Sequence, residues 1–207
     1  MNEIIKPHVQ SDTKHKIFLS AAELFARDGY YKISVREICE AAHVTKPVLY
    51  YYFKDKENLL EELVNETYFH MEKLREKHFY GILKLEDALR NFVKYYIEFL
   101  TEFPHLTRFS TFIQPTNVPQ RIHDMKKQRY DFEINTFIDV LKKSQSEGII
   151  STDYEPGILA LNFIGTFIML IGEYLLFQVN IEQLQSRMNH FVEFWIKIFL
   201  TTDKAET

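Results

Sequence analysis

Apolar residues recur at steps of three and four through most of the chain, the period of amphipathic helices rather than strands. Ile17, Ala21, Leu24 and Phe25 predict a helix over Lys14–Asp28 that stops at Gly29, after a polar lead, Met1–Thr13, expected to be frayed. Ser34 with Glu37 three residues on forms a capping box, so a second helix starts there with Val35, Ile38 and Ala42 on its inner side and ends near His43. Thr45 is placed to cap a third helix with Lys46 and Pro47 in its first turn, and its Leu49 and Phe53 point inward. A long helix follows from Asp55 to about His78 along Leu60, Leu63, Val64, Met71 and Leu74, with a break at Gly81. Leu89, Phe92, Tyr96, Phe99 and Phe103 mark the next helix, from Leu85 to the stop at Pro104. A short helix over His105–Gln114, a loop over Pro115–Pro119 and a long helix over Gln120–Glu147 follow, the last with Ile122, Met125, Ile134, Phe137, Ile138 and Leu141 inward. Two further helices, Gly157–Val179 and Glu182–Leu200, complete an all-α chain.

The outer side of the third helix changes the picture from plain packing to recognition. Tyr50 and Tyr51 lie beside Lys46 and Lys54, away from Leu49 and Phe53. A helix with small and polar residues in its first turn and tyrosines and lysines outside fits a major groove, with phenols and ammonium groups on phosphates. With the preceding helix, Ser34–Phe53 makes a three-helix helix-turn-helix unit. The stretch AAELFARDGYYKISVREICEAAHVTKPVLYYYFKDKENLL, Ala21–Leu60, resembles the N-terminal signature of the TetR family of bacterial transcriptional regulators. It departs at His43, where that family commonly has glycine; a turn residue there needs positive φ, which histidine tolerates better than a β-branched residue does.

Charge places any nucleic-acid contact locally. The net charge is −4, with nine cationic against eight acidic residues in 1–60 and 16 against 21 beyond, so bulk charge does not bind a polyanion and individual placement must. Lys46, Pro47 and Tyr50 are the expected neighbours of base edges, Pro47 against a thymine methyl. Arg36, Thr45, Tyr51, Lys54 and Lys56 are expected on phosphates or at the groove edge. Cys39, the single cysteine, excludes an internal disulfide and reads as a small core residue, the alternative being a redox sensor. With no N-terminal apolar signal segment, the expected location is the cytoplasm.

The stretch Gly157–Val179 is long and apolar enough for a membrane span, but Asn162, Thr166 and Glu173 make that costly and strong positive flanks are missing. A buried interface helix is the preferred reading, with no membrane partner. Gly165 and Gly172 are seven apart and share a face; Phe191, Trp195 and Ile198 on the last helix supply more apolar surface than one intramolecular contact needs. These five residues are the expected homodimer interface, in a four-helix arrangement that presents two recognition helices to a palindromic site.

The chain holds 18 Phe and 12 Tyr, many beyond residue 85, which allows an aromatic-lined pocket in the C-terminal bundle. Phe92, Tyr96, Phe99, Phe109, Phe112, Tyr130, Phe137, Phe163 and Phe167 are its candidate lining; the alternative is close packing with no cavity. The family resemblance implies such a pocket, in a helical C-terminal domain whose small-molecule effector releases DNA. Glu98, Glu133 and Glu173 are candidate receivers of a cationic group, against surface ion pairing. No hydrolase, zinc or phosphate-loop motif appears, so neither catalysis nor a cofactor is expected, and Glu66 with His70 reads as a surface helix pair rather than a ligand pair. The expected organisation is a DNA-binding domain over 11–56, with the helix-turn-helix at 34–53, a connecting helix over 57–80, and an effector-binding and dimerisation domain over 81–203. The expected function is a ligand-responsive repressor that binds double-stranded DNA as a homodimer and responds to an apolar or aromatic effector. Its alternative is a DNA-binding protein of the same fold controlled by a protein partner.

Overall fold

The computed structural model of the chain describes residues 7–113 and 115–200. Among them are nine α-helices: α1 (Pro7–Asp28), α2 (Val35–Ala41), α3 (Lys46–Tyr52), α4 (Lys56–Phe79), α5 (Leu85–Glu102), α6 (Pro104–Phe112), α7 (Gln120–Ser146), α8 (Pro156–Phe177) and α9 (Ile181–Phe199). A 3-10 turn, Pro115–Asn117, joins α6 to α7. The described residues form no strand, only an isolated bridge between Ile150 and Leu200. Each predicted helix is present within a few residues of its expected ends, apart from α1. There the polar lead from Pro7 is helical rather than frayed, with Lys16 on Asp12 at 2.8 Å across one turn, and the first six residues lie outside the described part.

The chain divides into two compact units, one taking residues up to 72 together with 102–127, the other 73–101 together with 128 onward. In the first, α1 packs against α2, α3 and α6. Ile17, Ala21, Phe25, Ile38, Leu49, Phe53, Leu59, Leu60, Leu63 and Phe109 are fully buried there, and each large apolar side chain contributes about 1.5–3 kcal/mol by leaving water. Gly29 ends α1 at φ +84°, a left-handed backbone that calls for glycine; a Cβ on it would stand 2.9 Å from the movable end of the Asn117 side chain. Ion pairs from Lys14 to Glu62 at 2.8 Å, Arg121 to Glu61 at 2.6 Å and His105 to Glu23 at 3.0 Å lie at the edge of this unit.

The α2–α3 turn follows from its end groups. Ser34 and Glu37 form the reciprocal capping box at the start of α2. At its end His43 takes φ +54°, the His43 amide donates to the Glu40 carbonyl at 3.2 Å, and the Val44 amide donates to the Cys39 carbonyl at 2.9 Å. This is a Schellman motif with histidine at the left-handed position, and it satisfies carbonyls that the helix end leaves without partners. Cys39 is buried beneath it, with its thiol pushed up by burial, as expected for a core residue. Thr45 occupies the N-cap of α3 but its hydroxyl makes no capping bond; Asp55, by contrast, accepts the Asn58 amide at 2.7 Å at the start of α4.

Lys56 departs from its expected place at the groove edge. Its ammonium donates to the Tyr30 carbonyl at 2.9 Å and the Ile33 carbonyl at 2.8 Å, and lies 4.0 Å from the centre of the Tyr30 ring. The first residue of α4 therefore ties down the α1–α2 turn. Burial lowers the lysine's proton affinity, and burial, ahead of Glu57 and Asp55, pushes the Tyr30 phenol up to about 12.

In the second unit α5, α7, α8 and α9 share an apolar core that includes Leu89, Val93, Leu141, Phe163, Phe167, Met188, Val192 and Trp195. Leu159, Ala160, Phe163, Phe167, Leu170 and Ile171 form the inner side of α8, while Ile158, Leu161, Ile168, Met169, Leu176 and Phe177 on the same helix are exposed. That two-sidedness explains why α8 is long and apolar enough to pass for a membrane span. A Cβ at Gly165 or Gly172 meets nothing within 4 Å, and Phe194 and Ile198 are exposed on α9. Trp195 corrects an expectation: it is 0 % exposed, held by Phe163 at 5.4 Å and Phe199 at 4.9 Å, so it belongs to the core rather than an outer face. Phe191 also turns inward, with its ring 5.6 Å from Phe163.

Two stability changes follow. Lys56→Ala removes two hydrogen bonds to carbonyls and is expected to lower unfolding free energy by about 1–2 kcal/mol in urea titration; an unchanged midpoint would show that the tether contributes nothing. His43→Gly relieves a side chain from left-handed backbone and is expected to raise it by about 0.5–1 kcal/mol, and a lower midpoint would contradict the strain argument.

Candidate DNA interface and effector core

The outward side of α3 is built by a seven-residue helix whose other side is spent on the core. Leu49 and the C-cap residue Phe53 are both 0 % exposed. Lys46 and Pro47 in the first turn are exposed, as are Tyr50 and Tyr51 one turn later. At 3.6 residues per turn these four side chains form a contiguous surface. Tyr52 is half-buried and sets its ring edge-on to Tyr51 at 5.0 Å. Lys54 is exposed just beyond the helix, and Thr45 just before it. Arg36, on α2, is exposed with its Nε 2.7 Å from Glu40, a surface pair that an anion of higher charge density can displace. Seven of the eight expected DNA-contact residues thus stand on the outside of the first unit, and Lys56 does not.

The expected pocket residues separate into groups. Phe92, Tyr96, Phe137, Phe163 and Phe167 come together in the second unit: Phe92 lies 5.6 Å from Phe137 and 5.3 Å from Phe163, and Tyr96 lies 5.3 Å from Phe167. Phe163 and Phe167 are 5.1 Å apart, so the five rings are in direct contact. Phe99 is buried in the same unit. Phe109 and Phe112 belong to the first unit, on α6, because Pro104 starts a new helix that packs on α1. Tyr130 is 52 % exposed on α7 and is not part of the ring cluster.

The three candidate carboxylates already hold cations. Glu98 receives Lys77 and, at 2.7 Å, the ring of His78, and the hydrogen bond from Lys77 foremost keeps it below the usual carboxylate range; Glu133 receives Arg129 at 2.7 Å, and Glu173 receives Arg187. Glu66 lies 3.1 Å from His70, whose ring stacks on Phe103 at 4.0 Å, an arrangement of helix packing rather than of a ligand set. Spacing along the chain gave no sign that Arg75 and Arg129, 54 positions apart, would approach one aromatic ring.

Comparison with known proteins agrees with the helix-turn-helix geometry. A family model described as bacterial regulatory proteins, tetR family, matches residues 17–63. The chain is 48% identical over 56 residues to the probable HTH-type transcriptional regulator YttP of Bacillus subtilis, an alignment covering 27% of each chain. It is 44% identical over 52 residues to the HTH-type transcriptional regulator QacR of Staphylococcus aureus, covering 25% of this chain and 28% of that one. With the HTH-type transcriptional repressor NicS of Pseudomonas putida the identity is 23% over 145 residues, covering 68% of this chain and 67% of NicS. The matches to YttP and QacR therefore span only about a quarter of those proteins. The fold likeness extends further: a TetR family transcriptional regulator from Chloroflexus aurantiacus superposes with TM-score 0.75 at 15% identity, covering 96% of both chains. The regulator FadR of Bacillus subtilis, solved in complex with stearoyl-CoA, superposes with TM-score 0.68 at 17% identity, covering 88% of this chain and 97% of that one. Residues 17–63 thus resemble the helix-turn-helix segment of the tetR family of bacterial regulatory proteins, and the all-helical architecture is similar to that of solved members of that family.

Proposed function

We propose that the chain is a cytoplasmic, ligand-responsive transcriptional repressor that binds a palindromic operator as a homodimer. The observation that carries the DNA reading is the exposed surface formed by Lys46, Pro47, Tyr50 and Tyr51, opposite the buried Leu49 and Phe53. In this reading Lys46, Pro47 and Tyr50 meet base edges in the major groove, while Arg36, Thr45, Tyr51 and Lys54 meet phosphates. Lys56 holds the turn behind them and is withdrawn from the contact set.

Dimer formation is supported by the apolar outer side of α8 and α9. Ile158, Leu161, Ile168, Met169, Leu176, Phe194 and Ile198 are exposed, and Gly165 and Gly172 leave open ground on α8 for a closely packed helix. Such a continuous apolar surface marks an association site, and a two-fold pairing buries the same surface on both subunits.

The aromatic core of the second unit is the proposed effector site. A mechanical route to DNA is supported by α4, one unbroken helix: its first residue, Lys56, is tied to the α1–α2 turn, and its last, Phe79, lies 5.0 Å from Phe92 and 6.0 Å from Tyr95. An effector that parts the rings displaces the end of α4 and changes the spacing of the recognition helices. Ligand and DNA then weaken one another's binding by the same factor.

Selection from random or genomic duplexes is expected to enrich a palindrome, and folded protein that ignores every duplex at low salt would end this reading. On the selected site, Lys46→Ala and Lys54→Ala are each expected to reduce the slope of log affinity against log salt by about 0.9, the value for one phosphate contact, while Lys56→Ala leaves it unchanged. Ile168→Glu is expected to halve the mass measured by light scattering and to weaken binding to the full palindrome; a persistent dimer would place the interface elsewhere.

A further inference from the structure

Four lysines of the first unit are spent on the fold: Lys14 and Lys16 are ion-paired, and Lys56 and Lys126 donate to backbone carbonyls. Three others, Lys32, Lys46 and Lys54, are exposed, and among the described residues none of their ammonium groups meets a carboxylate or a carbonyl. Lys46 opens α3 and Lys54 stands just beyond its end, both on the surface proposed to meet DNA. Lys32 stands apart in sequence, in the turn between α1 and α2.

That turn is fixed at both ends. The Lys56 ammonium takes the carbonyls of Tyr30 and Ile33, the residues on either side of Tyr31 and Lys32, at 2.9 and 2.8 Å. The Tyr31 ring, 61 % exposed, stands edge-on to the buried Tyr30 ring at 5.1 Å. A loop tied in this way has little ordering left to do when a partner arrives, which lowers the cost of binding. The same ammonium brings the α3–α4 junction to the turn. Lys54 precedes Lys56 by two residues, a backbone span of about 7 Å at most. Lys32 thus adjoins the unpaired cation at the end of α3. The two acids nearest the turn in sequence are both engaged: Asp28 holds Arg27 at 2.7 Å, and Glu37 accepts the Ser34 amide and hydroxyl, each at 2.7 Å.

We infer that the α1–α2 turn is a further part of the DNA interface, in which Lys32 contacts a phosphate beyond the groove that α3 enters. This rests on the DNA reading of α3 and extends its footprint along the sugar–phosphate backbone. A duplex is the partner that the charges favour: the chain as a whole is at −4, yet the unpaired lysines of this unit are those at α3 and at the turn stapled to it. A lysine ammonium on a phosphate releases a condensed counterion and adds affinity without reading sequence. The exposed phenol of Tyr31 supplies a hydrogen-bond donor beside it.

The test uses full-length protein and the duplex recovered by selection, lengthened at both ends. Lys32→Gln is expected to reduce the slope of log affinity against log salt by about 0.9, one phosphate contact, with the preferred palindrome unchanged. Lys32→Arg is expected to restore the slope. Neutral methylphosphonate linkages, placed one at a time outside the half-site, locate the contact. At one of them the wild-type slope is expected to fall by about the same 0.9, and Lys32→Gln to show no further loss there. A wild-type slope for Lys32→Gln, beside a reduced one for Lys46→Ala, would overturn the contact and leave the DNA reading of α3 in place. A reduced slope with every flanking linkage equivalent would mean diffuse attraction and would overturn it as well. Folded protein that binds no duplex at low salt would remove both readings.

Discussion

The left-handed backbone at His43 sets the direction of the whole outward side of α3. With φ +54° there, Val44 and His43 donate back to Cys39 and Glu40, α2 closes without orphaned carbonyls, and the chain re-emerges at Thr45 ready to start α3. Were the turn a residue longer or its backbone right-handed, Leu49 and Phe53 would no longer reach the core shared with α1. Lys46, Pro47, Tyr50 and Tyr51 would then lose their common outward direction. The geometry of a seven-residue helix is too short to be self-supporting, so its orientation comes from this turn and from the burial on its inner side.

The second unit solves a different problem, that of a helix apolar on every side. One side of α8 is satisfied within the chain by α9 and the ring cluster, and the other is left outward with two glycines among isoleucine, leucine and methionine. Core formation and the proposed pairing of subunits thus draw on the same element without competing. The cluster itself is almost wholly hydrocarbon, with polar groups at its edges: the Arg90–Glu193 pair, at 2.7 and 3.0 Å, ties α5 to α9.

Most of the helical architecture was legible in the chain because its signals are local. Ser34 with Glu37, Thr45 with Pro47, Pro104 and Gly29 each act within one turn, and the helices begin and end where they say. Side-chain fates that depend on distant groups were not legible. Lys56 looks like any exposed first-turn lysine until the carbonyls of Tyr30 and Ile33, 26 and 23 positions away, are brought to it. Trp195 and Ile198 are three apart and appear to share a stripe on α9, yet one is fully buried and the other about half exposed, because the stripe is broad and only its centre meets Phe163. Phe109 and Phe112 read as companions of the later aromatics, and it is the proline between α5 and α6 that sends them to α1 instead. The uniform hydrophobicity of α8 carries no periodic information about which side is inner.

Trp195 is the single tryptophan of the chain, and its indole Nε1 finds no hydrogen-bond acceptor among the described residues. A lone indole wedged among phenylalanines, cut off from water and from any acceptor, is an optical gauge of its own surroundings. Anything that spreads those rings or admits a solvent molecule changes the colour and intensity of its emission. The molecule therefore carries a native, label-free sensor at the heart of the ring cluster proposed to receive an effector, and one that the tyrosines of α3 leave undisturbed when excitation is set to the red edge of indole absorption.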